Sequence, residues 1–250
     1  MRPRTVFLIM FAIIAASIAI GYLTWEPNLT TNVKLNVNFS VGENLTYQTN
    51  GSEYKLLTFT VVNVTKYHEE DCLKVKAIMF TPIDPLFYIE MTDWLRIRDL
   101  YPVYSNITYV NLSGESIHIF LDYTSTKIKS KMIIGNNTAT KNIRTGGMVH
   151  DTLSILYYIR ALPENLSQAV RLRIIDTDLK IRVATVNKVG IENVTINGSR
   201  LKAVKYILTI NGKKTYIWKS CDNSSLILEI VSETDDGCVL TVLTSYEPPR

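Results

Sequence analysis

The run His68-Glu69-Glu70-Asp71-Cys72 is the densest polar cluster of this 250-residue chain, and each of its side-chain types can bind a metal or move a proton. A metal site needs donors that converge on one point, whereas consecutive residues of a strand or turn point in different directions. The run therefore reads as a solvated hairpin turn. His118 and His150 fall mid-strand and just before a helical stretch, and neither stands in a Gly-x-Ser-x-Gly, His-Glu-x-x-His or Cys/His nucleophile context. Asp84 and Asp93 flank the aromatic residues Phe87, Tyr88 and Trp94, the composition of a carbohydrate platform, but strand packing uses the same residue types. No catalytic residue, cofactor-binding residue or metal ligand is assigned.

Asparagine carries the stronger signal. Asn28, Asn38, Asn44, Asn50, Asn63, Asn106, Asn111, Asn136, Asn165, Asn193, Asn197 and Asn223 each begin an Asn-x-Ser/Thr sequon. With Ser and Thr at roughly a sixth of the residues, chance gives about three, so the excess points to N-glycan acceptors on an exported surface. The N-terminus agrees. Arg2 and Arg4 precede an uncharged apolar run from Thr5 to Trp25, long enough at about 20 residues to cross a bilayer as a helix. Positive charge before the run orients the start of the chain inward and everything beyond Glu26 outward. Residues 1–25 are thus expected to anchor the chain through a membrane span at 5–25, with cleavage as a signal peptide as the alternative, and residues 26–250 to form one extracellular domain.

Composition narrows the function classes. Of 27 basic residues, 25 lie beyond Arg2 and Arg4, against 23 acidic ones, a balance that excludes a nucleic-acid binder. Only Gln48 and Gln168 represent glutamine, beside abundant Lys, Ile, Val and Tyr, a balance like that of surface proteins from heat-loving archaea. Cys72, Cys221 and Cys238 would sit in an oxidising compartment. Cys221 and Cys238 fall at opposite ends of an expected strand about 25 to 30 Å long, too far for a bond that tolerates about 7 Å, so Cys72 with either of them is the expected pair, with three free thiols as the alternative.

The elements that must position these residues are strands. Period-two alternation runs through Val33 to Phe39, Leu57 to Val61 and Leu73 to Met79, and continues at Phe87 to Met91, Ile107 to Leu112, Ile117 to Tyr123 and Lys127 to Ile134. It resumes at Val170 to Ile175, Leu179 to Val186, Leu201 to Ile210, Lys214 to Lys219, Leu226 to Val231 and Cys238 to Thr244, with turn signals such as Asn197-Gly198 and Asn211-Gly212 between. A glycosylated Asn must point outward, so the residue after it points inward; Phe39, Leu45, Val64, Ile107, Leu112 and Val194 are all apolar. Between Asp151 and Leu162 the period changes to that of a helix, with Leu153, Leu156, Ile159 and Leu162 as its stripe, Asp151 as N-cap and Pro163 as stop. The fold class expected is mainly β: a single strongly curved antiparallel sheet, with the helix packed into its concave face.

Four markers fall in order along this meander: Gly42-Glu43-x-Leu45-x-Tyr47, Leu100-Tyr101-Pro102-Val103, Asp151-x-Leu153-Ser154-x-Leu156-Tyr157 and Trp218-x-Ser220-x-Asp222. In these, across most of residues 33 to 245, the chain resembles an uncharacterised family of exported bacterial proteins catalogued as a domain of unknown function. The resemblance implies a half-barrel-like sheet with one central helix and brings no catalytic residues. Asn223-Ser224 stands where that family has a basic and an apolar residue.

A sheet wrapped around one helix leaves an apolar pocket where the helix does not fill it, and Tyr157, Tyr158 and Trp218 are the residues expected nearest such a cavity. The function expected is that of a non-catalytic, membrane-anchored surface protein whose partner is an apolar ligand or another envelope protein. The alternatives are a structural subunit of a surface layer or filament, with the Val33 to Phe39 strand pairing to a neighbour, and a glycan-acting hydrolase.

Overall fold

The structure, a computed structural model, describes residues 33–50, 55–80, 88–110, 115–175, 179–222, 224–235 and 237–249. The apolar run at 5–25, Asn28, Asp84, Phe87, Asn111, Leu112 and Asn223 lie outside these residues, as does the side chain of Asn50. Among the described residues no helix is long and apolar enough to cross a membrane.

Alternation in the sequence becomes a single antiparallel sheet of fourteen strands among the described residues. The first eight are laid down as successive neighbours: β1 (Asn44–Asn50), β2 (Lys55–Tyr67), β3 (Glu70–Phe80), β4 (Tyr88–Arg96), β5 (Pro102–Val110), β6 (Ser116–Tyr123), β7 (Lys127–Ile134) and β8 (Asn137–Arg144). The chain then passes through helix α1 (Thr152–Ala161) and starts again at the far edge with β9 (Val170–Ile175), β10 (Ile181–Ile196), β11 (Ser199–Ile210), β12 (Lys213–Ser220), β13 (Ile227–Thr234) and β14 (Gly237–Glu247). The last strand pairs with the first, Leu45 opposite Tyr246 and Tyr47 opposite Leu243, so the two ends of the meander meet in mid-sheet. The edges β8 and β9 do not pair with each other, and the barrel is not closed. They are clasped instead: His150, beyond β8, lies parallel to β9, its N–H donating to the Arg173 carbonyl at 2.8 Å and its carbonyl accepting from Ile175 N–H at 2.8 Å.

The tight turns follow from residues that accept a left-handed backbone. Asn197-Gly198 and Asn211-Gly212 have positive φ at both positions, the geometry that matches the twist of a two-residue hairpin. His68 and Glu69 adopt it too, at φ 45° and 67°, and form the turn, while Glu70, Asp71 and the buried Cys72 belong to β3; among the described residues no group of three or more metal-ligating side chains converges.

Inward residues of both halves, among them Leu45, Tyr47, Val61, Val75 and Leu95 on one side and Ala184, Val186, Tyr206 and Ile217 on the other, pack around α1 in one core. Thr152 is exposed and Leu156 half-buried, but most of the helix is buried, its polar residues Ser154 and Arg160 included. The reason is Val33 to Phe39. Expected as a strand, these residues form no ladder; they run as a strap across the helix, Asn36 N–H donating to the Ala161 carbonyl at 2.8 Å and Phe39 meeting Tyr157 edge-on at 5.2 Å. Their apolar side is spent on the core, which removes the observation behind strand pairing with a neighbour.

Three further expectations are corrected. Strand β8, NTATKNIR, has almost no inward apolar residue and gave no alternation to read, because as an edge strand it is exposed at seven of its eight positions. Val64 is not buried but 55% exposed: a bulge after Val61 shifts the register, and the residue projects near the exposed turn at His68. The three cysteines are all free. Cys72 and Cys238 sit three strands apart, about 14 Å along the sheet, and at opposite ends of their strands, beyond the reach of a disulfide.

Ile107, next to sequon Asn106, is 8% exposed and faces the core. Ile107→Asp is expected to cost roughly 3 kcal/mol or more, and Val64→Asp to stay within about 0.5 kcal/mol, in urea unfolding of the two variants.

Candidate functional site

Buried charge fixes both ends of α1. At the N-terminus Asp151 caps the helix, its Oδ1 accepting from Ser154 N–H at 2.8 Å while Ser154 Oγ accepts from Asp151 N–H at 2.8 Å. The other carboxylate oxygen accepts from Ser105 Oγ of β5 and from Tyr123 OH of β6, each at 2.9 Å. At the C-terminus the Lys219 ammonium of β12 donates to the carbonyls of Leu162 and Arg160, at 2.5 and 3.4 Å, and Arg160 pairs with Glu43 at 2.6 Å. These charges also match the helix dipole, an anion at the positive end and a cation at the negative end. Burial pushes the Lys219 ammonium below its usual value. Burial also lowers Arg160, but the Glu43 carboxylate more than reverses this and raises it.

Beside the cap lies a second acid. Asp93 of β4 is fully buried, and both its oxygens lie without a hydrogen bond of regular geometry. Burial first, then the neighbouring Asp151, raises it well above the usual carboxylate range. His150 packs next to this group between the rings of Tyr101 and Tyr158, at 4.2 and 4.9 Å, and burial lowers it to about 3. Asp151 is engaged as the helix cap, and Asp93 lies buried beside it.

Space opens on one side of the helix. An apolar cleft of about 240 Å³ is walled by Leu57 and Phe59 of β2, Ala77 and Met79 of β3, Ile89 and Met91 of β4, Ile107 and Tyr109 of β5, and Thr152, Leu153 and Leu156 of α1. Among the described residues no carboxylate lines it. A smaller void of about 40 Å³ adjoins it through Met91, Ile107, Tyr109 and Thr152, and Asp151 is part of its lining.

The residues expected to line a cavity are placed elsewhere. Tyr157 and Tyr158 are packed into the core, and the void beside Tyr157 holds only about 10 Å³. Trp218 alternates with Ile217 and Lys219, which point at the helix, and so faces outward, where its indole donates to Glu192 at 3.0 Å beneath Lys205. Leu156, expected in the core stripe, is half-buried on the cleft wall. Asp93 and Trp94 are neighbours on opposite faces, which separates the carboxylate from the aromatic platform. Of the eight sequon asparagines whose side chains are described, Asn38, Asn63, Asn136, Asn165, Asn193 and Asn197 are exposed and Asn44 and Asn106 half-buried. Missed altogether were Glu43 and Lys219 as helix anchors; the signal available was Arg160, a charge beside the apolar stripe that needs a buried partner.

No family model and no curated protein sequence matches the chain. Its fold does have solved counterparts. The β-barrel-like protein of domain of unknown function DUF1849 from Brucella abortus superposes with a TM-score of 0.56 at 7% identity, covering 86% of this chain and 98% of that one. A protein with YmcC-like fold from Bacteroides fragilis reaches 0.38 at 10% identity, over 86% of this chain and 100% of that one. The first likeness establishes a barrel-like architecture and no more.

Two outcomes follow for the anchor. Glu43→Ala, which strands Arg160 in the interior, is expected to cost about 3–5 kcal/mol by chemical denaturation. Asp93 holds its proton more tightly folded than unfolded, so its contribution is fully present below the unfolded value of about 3.9 and is lost as pH rises through the raised folded value. His150 has the opposite sign: its folded value is depressed, and stability is lost as pH falls from about 6.5 toward it. Asp93→Asn is therefore expected to raise the melting temperature above pH 7 and flatten its decline with pH, leaving the acid side to His150; melting curves across pH check this.

Proposed function

We propose that the chain is a non-catalytic, membrane-anchored envelope protein that binds an apolar ligand in the cleft between α1 and strands β2 to β5. The observation that carries this is the cleft itself, with apolar walls from four strands and the helix. Its volume lies just below the roughly 300–1,000 Å³ of sites for drug-sized ligands, which suits one slender chain of methylenes better than a ring system. Each methylene buried there contributes about 0.8 kcal/mol. The sequon excess and the apolar run at 5–25 support the outward, membrane-tethered setting. Membership of the exported family suggested by the four ordered markers belongs to the same proposal.

Ala77 sits on the cleft floor, and Phe in its place fills the space from β3. Ala77→Phe is expected to weaken binding of a fluorescent fatty-acid probe at least tenfold (about 1.4 kcal/mol). Leu156→Ala widens the cleft and should shift chain-length preference, while Ile159→Ala, fully buried on the same helix, should cost about 2–5 kcal/mol of stability instead. Probe binding untouched by Ala77→Phe would sink the reading.

A further inference from the structure

The opposite face of the same strands carries a row of aromatic rings around one sequon. Asn106 of β5 lies between Thr92 of β4 and Phe120 of β6 in the ladder. Tyr104, two residues earlier and so on the same face, lies between Trp94 and Asp122. Trp94 meets Tyr104 edge-on at 5.3 Å, and Tyr67 stacks on Tyr104 at 5.3 Å. These rings are half-buried and face water, and next to them a concavity of about 250 Å³ is lined by Tyr104, Phe120, Asp122, Lys129 and Lys131. Rings beside hydrogen-bonding acids and lysines match a sugar, which offers an apolar C–H face to an aromatic plane and hydroxyls at its rim.

The orientation of Asn106 selects the occupant. Its Oδ1 is buried against the sheet without a partner, which leaves Nδ2, the atom that bears an N-glycan, on the water side. Asn197 shows the contrary arrangement, its Nδ2 donating to the Thr244 carbonyl at 3.2 Å. A first sugar on Asn106 starts next to Phe120, its partner across the ladder, and two residues from Tyr104 on the same face. We propose that this outer face is a saccharide-binding surface occupied by the glycan that Asn106 itself carries. Sugar and protein then form one packed unit, on the face away from the apolar cleft and independent of whether that cleft binds anything.

The test uses the full chain expressed through a eukaryotic secretory pathway, where the glycan core is N-acetylglucosamine. Glycopeptide mass spectrometry is expected to find Asn106 occupied; a bare Asn106 overturns the proposal. Tyr104→Ala is then compared with and without the glycan, removing the sequon by Asn106→Gln and separately by Thr108→Val, so that one poorly folded variant does not decide the result. Packing of sugar on ring predicts that Tyr104→Ala lowers the melting temperature by about 2–4 °C more in the glycosylated protein than in either sequon-free background. Equal losses overturn it. Added chitotriose should give saturation-transfer NMR signals with the Asn106→Gln protein and not with the glycosylated one; equal signals from both would mean that the face serves an external saccharide and its own glycan lies elsewhere.

Discussion

Everything inside this sheet depends on charges that water cannot reach. A ten-residue helix is too short to be stable by itself, and this one is buried at Asp151 on one end and at Ala161 and Leu162 on the other, so its termini must find partners within the protein. Asp151 ties the first turn to β5 and β6, and Lys219 ties the last turn to β12, which stands in the other half of the sheet. Arg160 and Glu43 join the helix to the residue just before β1, where the two halves meet. The helix is a cross-brace between strands that are neighbours of nothing in common. Because each buried charge is compensated only in this arrangement, sliding the helix by one turn would strand several at once.

The strands were legible because each half-buried strand writes its own alternation, and twelve of the fourteen stand where the periodicity or turn residues place them. What failed did so for physical reasons. Strand β8 is an edge with no apolar face to display, and the strap at 33–39 shows strand alternation because it too has one side on the core, without any ladder. Val64 looked buried because period two ignores a bulge. The site was less legible still. Helical spacing named Leu153, Leu156, Ile159 and Leu162 as one stripe, but which of them meets packed neighbours and which meets open space depends on strands from other parts of the chain. Trp218 was assigned inward on residue type, when its neighbours Ile217 and Lys219 had already taken the inner positions.

The two faces of β4 and β5 divide the chemistry residue by residue. Asp93 lies buried beside the helix cap and Trp94 joins the outer rings; Ile107 walls the cleft and Asn106 carries the sequon. A one-residue slip of β5 would exchange its two roles, placing an asparagine in the core and an isoleucine in water. The sequon pattern and the core pattern therefore constrain each other, and the buried pair of acids beside Ser105 helps to set that register from within.

The cleft itself follows from a mismatch of lengths. A ten-residue helix spans about 15 Å, whereas β2 and β3, with thirteen and eleven residues, run to roughly 35–45 Å. One helix cannot line the concave face of such strands from end to end. Near its C-terminus the strap and the Tyr157 ring fill what is left, and the remaining void is about 10 Å³. Beyond its first turn no described residue gives equivalent cover, and the inward side chains of β2 to β5 continue past the helix as the walls of the 240 Å³ cleft. Lengthening the helix would close that space, but it begins at Asp151, whose carboxylate is locked to Ser105 and Tyr123. The interaction that holds the helix in place is thus the one that keeps the cleft open.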